Sequence, residues 1–197
     1  PGFVVGVRLP NEDFTPGGLT PSVVAEIAAR VDPLVDYISL HMGSYWRFHT
    51  LIAPADDPLG VEMASNAPIK RRVTKPLIVV GRINTMDHAE AIIRAGEAEM
   101  VSMVRALLAD PELVNKARRG EEHRIRPCIG TNIGCVGQLM SGSPLSCVVN
   151  PAAARERLIT FEPADKAAHQ KRVLIVGGGP AGLEAARTAA LRGHEVH

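Results

Sequence analysis

Four short apolar runs alternate with helix patterns over the first 120 residues, and this alternation constrains the fold most strongly. The predicted strands are residues 3–8, 37–40, 77–80 and 100–103. Strands separated by helices predict parallel βαβ units. Because these units carry no glycine fingerprint for a cofactor, they suit half of an eight-stranded (β/α) barrel, with a doubly wound sheet as the alternative.

Capping residues mark where the helices of this region begin and end. Thr20 followed by Pro21 is typical of a helix start. Thr85 predicts the start of a helix over 87–95, which Gly96 ends. A further helix over 107–119 is predicted to be interrupted near proline 111 and closed by a glycine.

The composition excludes several classes of partner. The chain has 197 residues, a net charge of +1, 46% hydrophobic and 22% charged residues, so no electrostatic attraction to nucleic acid or an anionic membrane is expected. No apolar run reaches the length of a membrane span, and the start lacks a signal-peptide pattern. We therefore expect a cytoplasmic protein that acts on a small-molecule substrate. Both ends look cut, because the first residue is not methionine and a strand pattern begins at each end.

A glycine-rich turn near the end of the chain predicts a second, different unit. A predicted buried strand over 173–176 is followed by Gly177, Gly178, Gly179 and Gly182, and then by a predicted helix over 183–192. Gly177 permits a tight turn, Gly179 admits a pyrophosphate, and Gly182 lets the helix pack on the strand. The helix N-terminus would face the phosphates. The turn therefore predicts dinucleotide binding, and it does not separate FAD from NAD(P).

All three cysteines of the chain, Cys128, Cys135 and Cys147, lie in one short segment. An odd, clustered count without secretory features argues against a disulfide framework and favours metal or redox chemistry. Small buried apolar residues are the alternative interpretation.

Three arginines, Arg8, Arg82 and Arg105, stand at or just beyond the ends of predicted strands. In (β/α) barrels these ends carry the chemistry, and phosphates often bind there. A guanidinium supplies positive charge and forked donors for a phosphate or an anionic flavin ring. Surface or salt-bridging arginines would give the same pattern.

Several motifs occur in the order found in one enzyme family. They are Val80-Gly81-Arg82-Ile83-Asn84, the run from Met100 to Pro111, Arg126-Pro127-Cys128-Ile129-Gly130, Ser146-Cys147-Val148-Val149-Asn150-Pro151 and the glycine turn. The chain resembles the NADH:flavin oxidoreductase, or old yellow enzyme-like, family, in the group of 2,4-dienoyl-CoA reductase and trimethylamine dehydrogenase. The resemblance implies the second half of an FMN-binding (β/α)8 barrel (1–127), a cysteine segment of iron–sulfur type (128–150), a linker (151–170) and the start of a Rossmann-like FAD/NAD(P)-binding domain (171–197).

The resemblance also assigns roles to individual residues. Arg8 would lie near the N1–C2 edge of the flavin, and Gly81-Arg82 with Val104-Arg105 would hold the FMN phosphate. Tyr45 occupies the position at which a relative has a histidine that acts as an acid near the flavin. Tyr45 is therefore the candidate proton donor or orienting group. His41 and His49 are the alternatives.

The family's cysteine pattern, C-x-x-C-x-x-x-C-x(11)-C, ligates a [4Fe–4S] cluster. Here Thr131 replaces the second cysteine. Three thiolates could retain a cluster with another fourth ligand, retain a three-iron form, or hold no metal.

The implied enzyme passes electrons from NAD(P)H through FAD and an iron–sulfur centre to FMN and an activated alkene, such as an enoyl or dienoyl thioester. N-methyl amine oxidation by the same apparatus is one alternative. A catalytically silent truncated fragment is another, and the fragment alone is expected to be inactive.

Overall fold

The structure is a computed structural model that describes residues 2–159 and 166–197. Its strands are β1 (Gly6–Pro10), β2 (Tyr37–His41), β3 (Leu77–Val79), β4 (Met100–Val101), β5 (Arg172–Val173) and β6 (Glu195–Val196). Its α-helices are α1 (Pro21–Val31), α2 (Phe48–Leu51), α3 (Met63–Lys70), α4 (Met86–Arg94), α5 (Val104–Ala109), α6 (Leu113–Arg118), α7 (Gln138–Met140) and α8 (Pro180–Leu191).

The first four strands form one parallel sheet in the order β1-β2-β3-β4. The prediction of an α/β chain with parallel βαβ units is confirmed. Neighbours along the chain are neighbours in the sheet, as in a barrel, whereas a doubly wound sheet reverses its strand order at a switch point. The order therefore matches half of a (β/α) barrel. β5 and β6 form a separate parallel pair.

The core lies between this sheet and its helices. Ile38, Leu40, Leu77 and Val79 point from the strands toward buried residues of α1, α3 and α4. Side chains alternate faces along a strand, so Arg8, Ser39 and His41 point the other way. One face of the sheet thus builds the core, and the other is available for a site.

The predicted caps are confirmed, and so is the interruption of the predicted helix over 107–119. Thr20 accepts a hydrogen bond from the Val23 backbone N–H, and Thr85 accepts one from the His88 N–H. Gly96 follows α4 with a φ of +70°. Helices α5 and α6 are separated at residues 110–112, where buried Asp110 accepts a hydrogen bond from Lys116 Nζ at 2.8 Å.

Three predicted strands were wrong in extent, and one of them, predicted over 100–103, covers only Met100–Val101. The first predicted strand begins only at Gly6, and Phe3 is 91% exposed because no described strand lies beyond β1 to cover it. The strand before the glycine turn covers only Arg172–Val173, and Leu174 and Val176 are exposed rather than buried. β5 pairs with β6 alone, so the described residues offer little to bury them.

Other differences concern helices and the connector. Helix α8 begins at Pro180, three residues earlier than predicted. Helix α3 was not predicted, since Pro68 lies inside it. Residues 160–165 of the predicted linker lie outside the described residues. No helix in the described ranges is long and apolar enough to cross a membrane.

Candidate functional site

A cleft of about 540 Å³ opens where the predicted site residues meet. It lies beyond the carboxyl ends of β2 and β3 and beside the start of α5. The predicted cofactor-binding, catalytic and metal-binding residues that line it are Arg8, Tyr45, Gly81, Arg82, Val104, Arg105 and Cys135. The structure therefore brings residues from five separate segments to one cavity, while their roles stay predictions.

Arg105 and Arg82 are held in the cleft by backbone oxygens of the segment after α2. Arg105 Nη1 donates to Ala53 O at 2.8 Å and to Asn132 Oδ1 at 2.7 Å. Arg82 Nη1 donates to Ala55 O at 3.1 Å. Arg82 Nε is buried without a hydrogen-bond partner among the described residues. A buried donor without a partner is costly, so this site suits an anion such as the phosphate of FMN.

The backbone at Gly81 and Arg82 is in the left-handed region, with φ values of +128° and +53°. A Cβ added to Gly81 would lie 2.7 Å from Cγ of Glu62, so only glycine fits here. A non-glycine residue with positive φ is strained, and such strain concentrates at functional sites. The turn after β3 therefore places Arg82 at the cleft at a conformational cost.

Glu62 is a cleft residue that the sequence did not identify. It is only 4% exposed, and Oε2 has no hydrogen-bond partner in the described part of the chain. Burial raises the pKa of Glu62 to about 7, against the opposing effect of the positive charges of Arg8 and Arg105. A lone glutamate just before an unpredicted helix carries no signal in the sequence, because its environment comes from distant segments.

The candidate proton donors differ in their surroundings. Tyr45 lines the cleft with its side chain largely exposed, and its ring stacks on that of Phe48 at 6.4 Å. His41 also lines the cleft, and burial, together with the charge of Arg8, lowers its pKa. His49 lies instead in a neighbouring pocket of about 380 Å³, which Thr131 also lines.

The cysteine segment closes one side of the cleft. The Cys128 carbonyl accepts a hydrogen bond from Asn84 Nδ2 at 3.1 Å, and Asn132 Nδ2 donates to Ile52 O at 2.9 Å. The Gly134 carbonyl accepts from Ser146 N at 2.8 Å, which brings the turn of Cys135 against the chain before Cys147. The segment is therefore tied to the barrel half by specific hydrogen bonds.

The three cysteines are free and half-buried. Within residues 2–159 and 166–197, no three Cys, His, Asp or Glu side chains form a group that could hold a single metal ion. In a cubane each thiolate binds a different iron, so cluster ligands need not converge on one point. Thiolate chemistry and spacing support an iron–sulfur cluster, and the cluster itself stays a proposal.

The backbone of the glycine turn is compatible with the dinucleotide binding that the sequence predicts. Gly177 has a φ of +108°, and a Cβ on Gly182 would lie 2.0 Å from Gly177 O. A Cβ on Gly178 or Gly179 would meet nothing within 4 Å. The close approach at Gly182 and the open space at Gly179 fit the roles predicted for them.

Comparison with known proteins gives the family. Residues 3–124 match the NADH:flavin oxidoreductase / NADH oxidase family. The chain is 39% identical to a metal reductase of Desulforamulus reducens, in a match that covers 98% of the chain and 29% of that protein. It is 38% identical to an NADH oxidase of Thermoanaerobacter brockii, in a match that covers 98% of the chain and 30% of that protein. It is 35% identical to a cinnamate reductase of Clostridium sporogenes over 95% of the chain and 28% of that protein. The chain thus spans less than a third of these curated relatives.

Superposition on solved structures supports the same family. The chain superposes with a TM-score of 0.90 on the 6-hydroxypseudooxynicotine amine oxidase of Pseudomonas geniculata N1, at 30% identity over 98% of this chain and 29% of that one. It superposes on 2-naphthoyl-CoA reductase with a TM-score of 0.84, at 32% identity over 95% of this chain and 28% of that one. The sheet order, the cleft and these matches lead to one conclusion: the chain belongs to the NADH:flavin oxidoreductase / NADH oxidase family.

Proposed function

We propose that the complete protein is an NAD(P)H-dependent flavin oxidoreductase that reduces an activated alkene, such as an enoyl or dienoyl thioester. The observation that carries this proposal is the convergence of Arg8, Arg82 and Arg105 on one cleft at the carboxyl ends of parallel strands. Cinnamate reductase and 2-naphthoyl-CoA reductase, whose names state reduction of unsaturated acids or thioesters, support this substrate class.

FMN, when bound in the cleft, supplies hydride-transfer chemistry that no side chain can provide. Arg82 and Arg105 hold its phosphate through charge-assisted hydrogen bonds. Arg8 places a permanent positive charge beside the flavin ring and stabilises negative charge that develops there. Tyr45 donates a proton from its hydroxyl or orients the substrate at the mouth of the cleft.

The other proposed cofactors belong to the segments that follow. Cys128, Cys135 and Cys147 would hold an iron–sulfur cluster, and Cys135 also lines the flavin cleft. The glycine turn would bind the pyrophosphate of FAD or NAD(P)H at the start of α8. The proposed domains are those of the resemblance: barrel half (1–127), cysteine segment (128–150), linker (151–170) and dinucleotide-binding start (171–197).

Oxidation of an N-methyl amine is the second candidate. It is favoured by the superposition on an amine oxidase with a TM-score of 0.90. Both reactions use the same cofactor site, because a flavin can deliver or accept hydride. The relatives are longer than this chain. The part of the complete protein that corresponds to their remaining length would complete the substrate pocket and determine which of the two reactions occurs.

The proposal is tested on the complete protein, purified without oxygen. Flavins released by denaturation are identified by chromatography, and both FMN and FAD are expected. NADH and NADPH oxidation is then followed with a cinnamate or enoyl thioester, and dye reduction is followed with N,N-dimethylglycine. A protein without flavin would contradict the proposed cofactor site, whereas amine-dependent dye reduction without alkene reduction would favour the second candidate.

A further inference from the structure

Glu62 is a buried carboxyl in the wall of the cleft. It immediately precedes α3, and its Oε2 atom is buried without a hydrogen bond among the described residues. A buried polar atom without a partner costs free energy, and native proteins retain few of them. Nothing in the family assignment or in the roles of the arginines requires this carboxyl.

The cleft surrounds Glu62 with charged and titratable groups from several elements. Arg8 on β1 and Arg105 on α5 act on its charge and favour the ionised form. The remaining titratable or charged residues of the cleft are His41, Tyr45, Arg82 and Cys135. His88 on α4 lies close to Gly60, two residues before Glu62. Arg105 Nη1 donates to Ala53 O and to Asn132 Oδ1, so neither of these two bonds neutralises the Glu62 carboxylate.

These opposing influences leave the protonation of Glu62 finely balanced. Desolvation outweighs the two arginines and sets the pKa of Glu62 at about 7. A small change in local charge near neutral pH therefore changes the charge of this group, because one pKa unit corresponds to about 1.4 kcal/mol.

A bound flavin phosphate changes that local charge in one direction. The phosphate carries nearly two negative charges at neutral pH, and it would pair with Arg105, one of the two arginines that favour ionised Glu62. Its negative charge offsets the attraction of Arg105 for the carboxylate, and cofactor binding removes more water from the carboxyl. Both effects disfavour the carboxylate.

We propose that Glu62 takes up one proton from solvent when FMN binds and then serves, as a neutral carboxylic acid, as a hydrogen-bond donor inside the cleft. The inference rests on the proposed FMN site. It makes Glu62 a positioning residue for the cofactor, with no covalent step. Gly81 permits this arrangement because any Cβ there would collide with the Glu62 side chain.

The test is calorimetric titration of the FMN-free complete protein with FMN in buffers of different ionisation enthalpy. At pH 7.5 the FMN phosphate is already almost fully ionised, so it exchanges few protons itself. A group with a pKa near 7 is then about three-quarters ionised, so uptake of about three-quarters of a proton per FMN is expected. The dissociation constant should rise about fivefold between pH 7 and pH 8.

Glu62→Gln mimics the neutral acid and cannot take up the proton. This variant should bind FMN with no Glu62-linked uptake and with a dissociation constant that no longer rises from pH 7 to pH 8. Glu12→Gln is the matched control, because Glu12 Oε2 accepts a hydrogen bond from Ser65 and Glu12 is not among the residues that line the cleft. It should behave as the native protein does.

Each outcome decides a separate point. Equal proton uptake in the native protein and in Glu62→Gln, or no uptake in the native protein, would overturn the inference while the FMN site stands. Absence of any FMN binding would remove the proposed function and this inference together. If the variant fails to fold, infrared difference spectra of the native protein decide, since FMN binding must replace a carboxylate band by a carboxylic-acid band.

Discussion

Arg126 Nη2 lies 3.1 Å from Oε1 of Glu184, and this ion pair joins the end of the barrel half to helix α8. Arg126 Nη1 also donates to Val149 O at 2.8 Å. Glu184 is held in turn by Arg187, at 3.0 Å from each oxygen. The Glu184 carboxylate therefore joins the proposed dinucleotide-binding unit to Arg126 of the proposed flavin barrel, and Arg126 in turn contacts the cysteine segment.

Replacement of this carboxylate is expected to loosen α8. Glu184→Gln keeps the shape but removes the charge, so amide hydrogen exchange in α8 should accelerate while α4 stays unchanged. The pair is partly exposed, and the expected loss of stability is below about 1 kcal/mol. Glu195→Gln is the control, because the Glu195 carboxylate pairs with the exposed side chain of His197 and is not bonded to α8 in the described part of the chain.

The same contact should depend on pH in a defined direction. Hydrogen bonds from Arg187, together with those from Arg126, lower the pKa of Glu184 to about 2 from its ordinary 4.5. The stabilisation is therefore fully present above about pH 4.5 and is lost as pH falls toward 2. Unchanged exchange of α8 in the variant would show that other contacts hold the helix.

Arg105 and Arg8 are predicted to contribute differently to flavin binding. Arg105→Ala should weaken FMN binding by about 10- to 100-fold, because it removes charge-assisted hydrogen bonds to a phosphate. Arg8→Ala should instead lower the flavin midpoint potential while most FMN is retained. Flavin content and potential are measured for both, with Arg94→Ala on the exposed face of α4 as control. Equal FMN loss with unchanged potential would contradict the assignment.

Tyr45 is expected to act on the substrate rather than on the cofactor. Tyr45→Phe should reduce alkene turnover by about 10²- to 10⁴-fold if its hydroxyl donates the proton, while flavin reduction by NAD(P)H stays unchanged. Tyr37→Phe is the matched control, since its ring packs over Gly6 outside the cleft lining. Stopped-flow measurement separates the two half-reactions, and an unaffected alkene half-reaction would point to His41 instead.

Thr131 should make the cluster labile. With three thiolates the fourth iron has an oxygen ligand, so the complete protein should be isolated largely with a three-iron cluster after exposure to air. Thr131→Cys should raise iron content and air stability, as iron and sulfide analysis with electron paramagnetic resonance would show. If neither protein holds iron after reconstitution, the cysteines are structural.

Asn132, the residue after Thr131, has a side chain that is already engaged and is therefore not available as that fourth ligand. Its side chain accepts a hydrogen bond from Arg105 and donates one to Ile52, and its backbone φ is +58°. His49 and Thr131 line the same pocket. The iron content of a His49→Ala variant that retains Thr131 therefore tests whether His49 is the fourth ligand of the cluster.

Residues 1–197 expressed alone should be unstable and should retain little FMN. β1 and β4 are the outer strands of the described sheet, and each exposes an unpaired edge. Phe3, Trp46 and Val176 are almost fully exposed. Thermal melting and flavin absorbance measure this; a monomer that melts cooperatively with bound flavin would refute the prediction.

Local patterns determined most elements of this protein. The caps at Thr20 and Thr85, the break near Pro111 and the close approach at Gly182 each depend on residues a few positions apart. Ordered motifs determined the family and selected Arg8, Arg82 and Arg105 for the cleft. Such features were readable because neighbouring residues alone produce them.

Tertiary structure decided what depends on distant segments. The chain around Phe3 looked like a buried strand, yet no described neighbour covers it. Helix α3 forms despite Pro68 because Ile69 packs into the core. The chemistry of Glu62 arises only where β1, the turn after β3 and α5 meet, because burial and the charges of Arg8 and Arg105 act through space rather than along the chain.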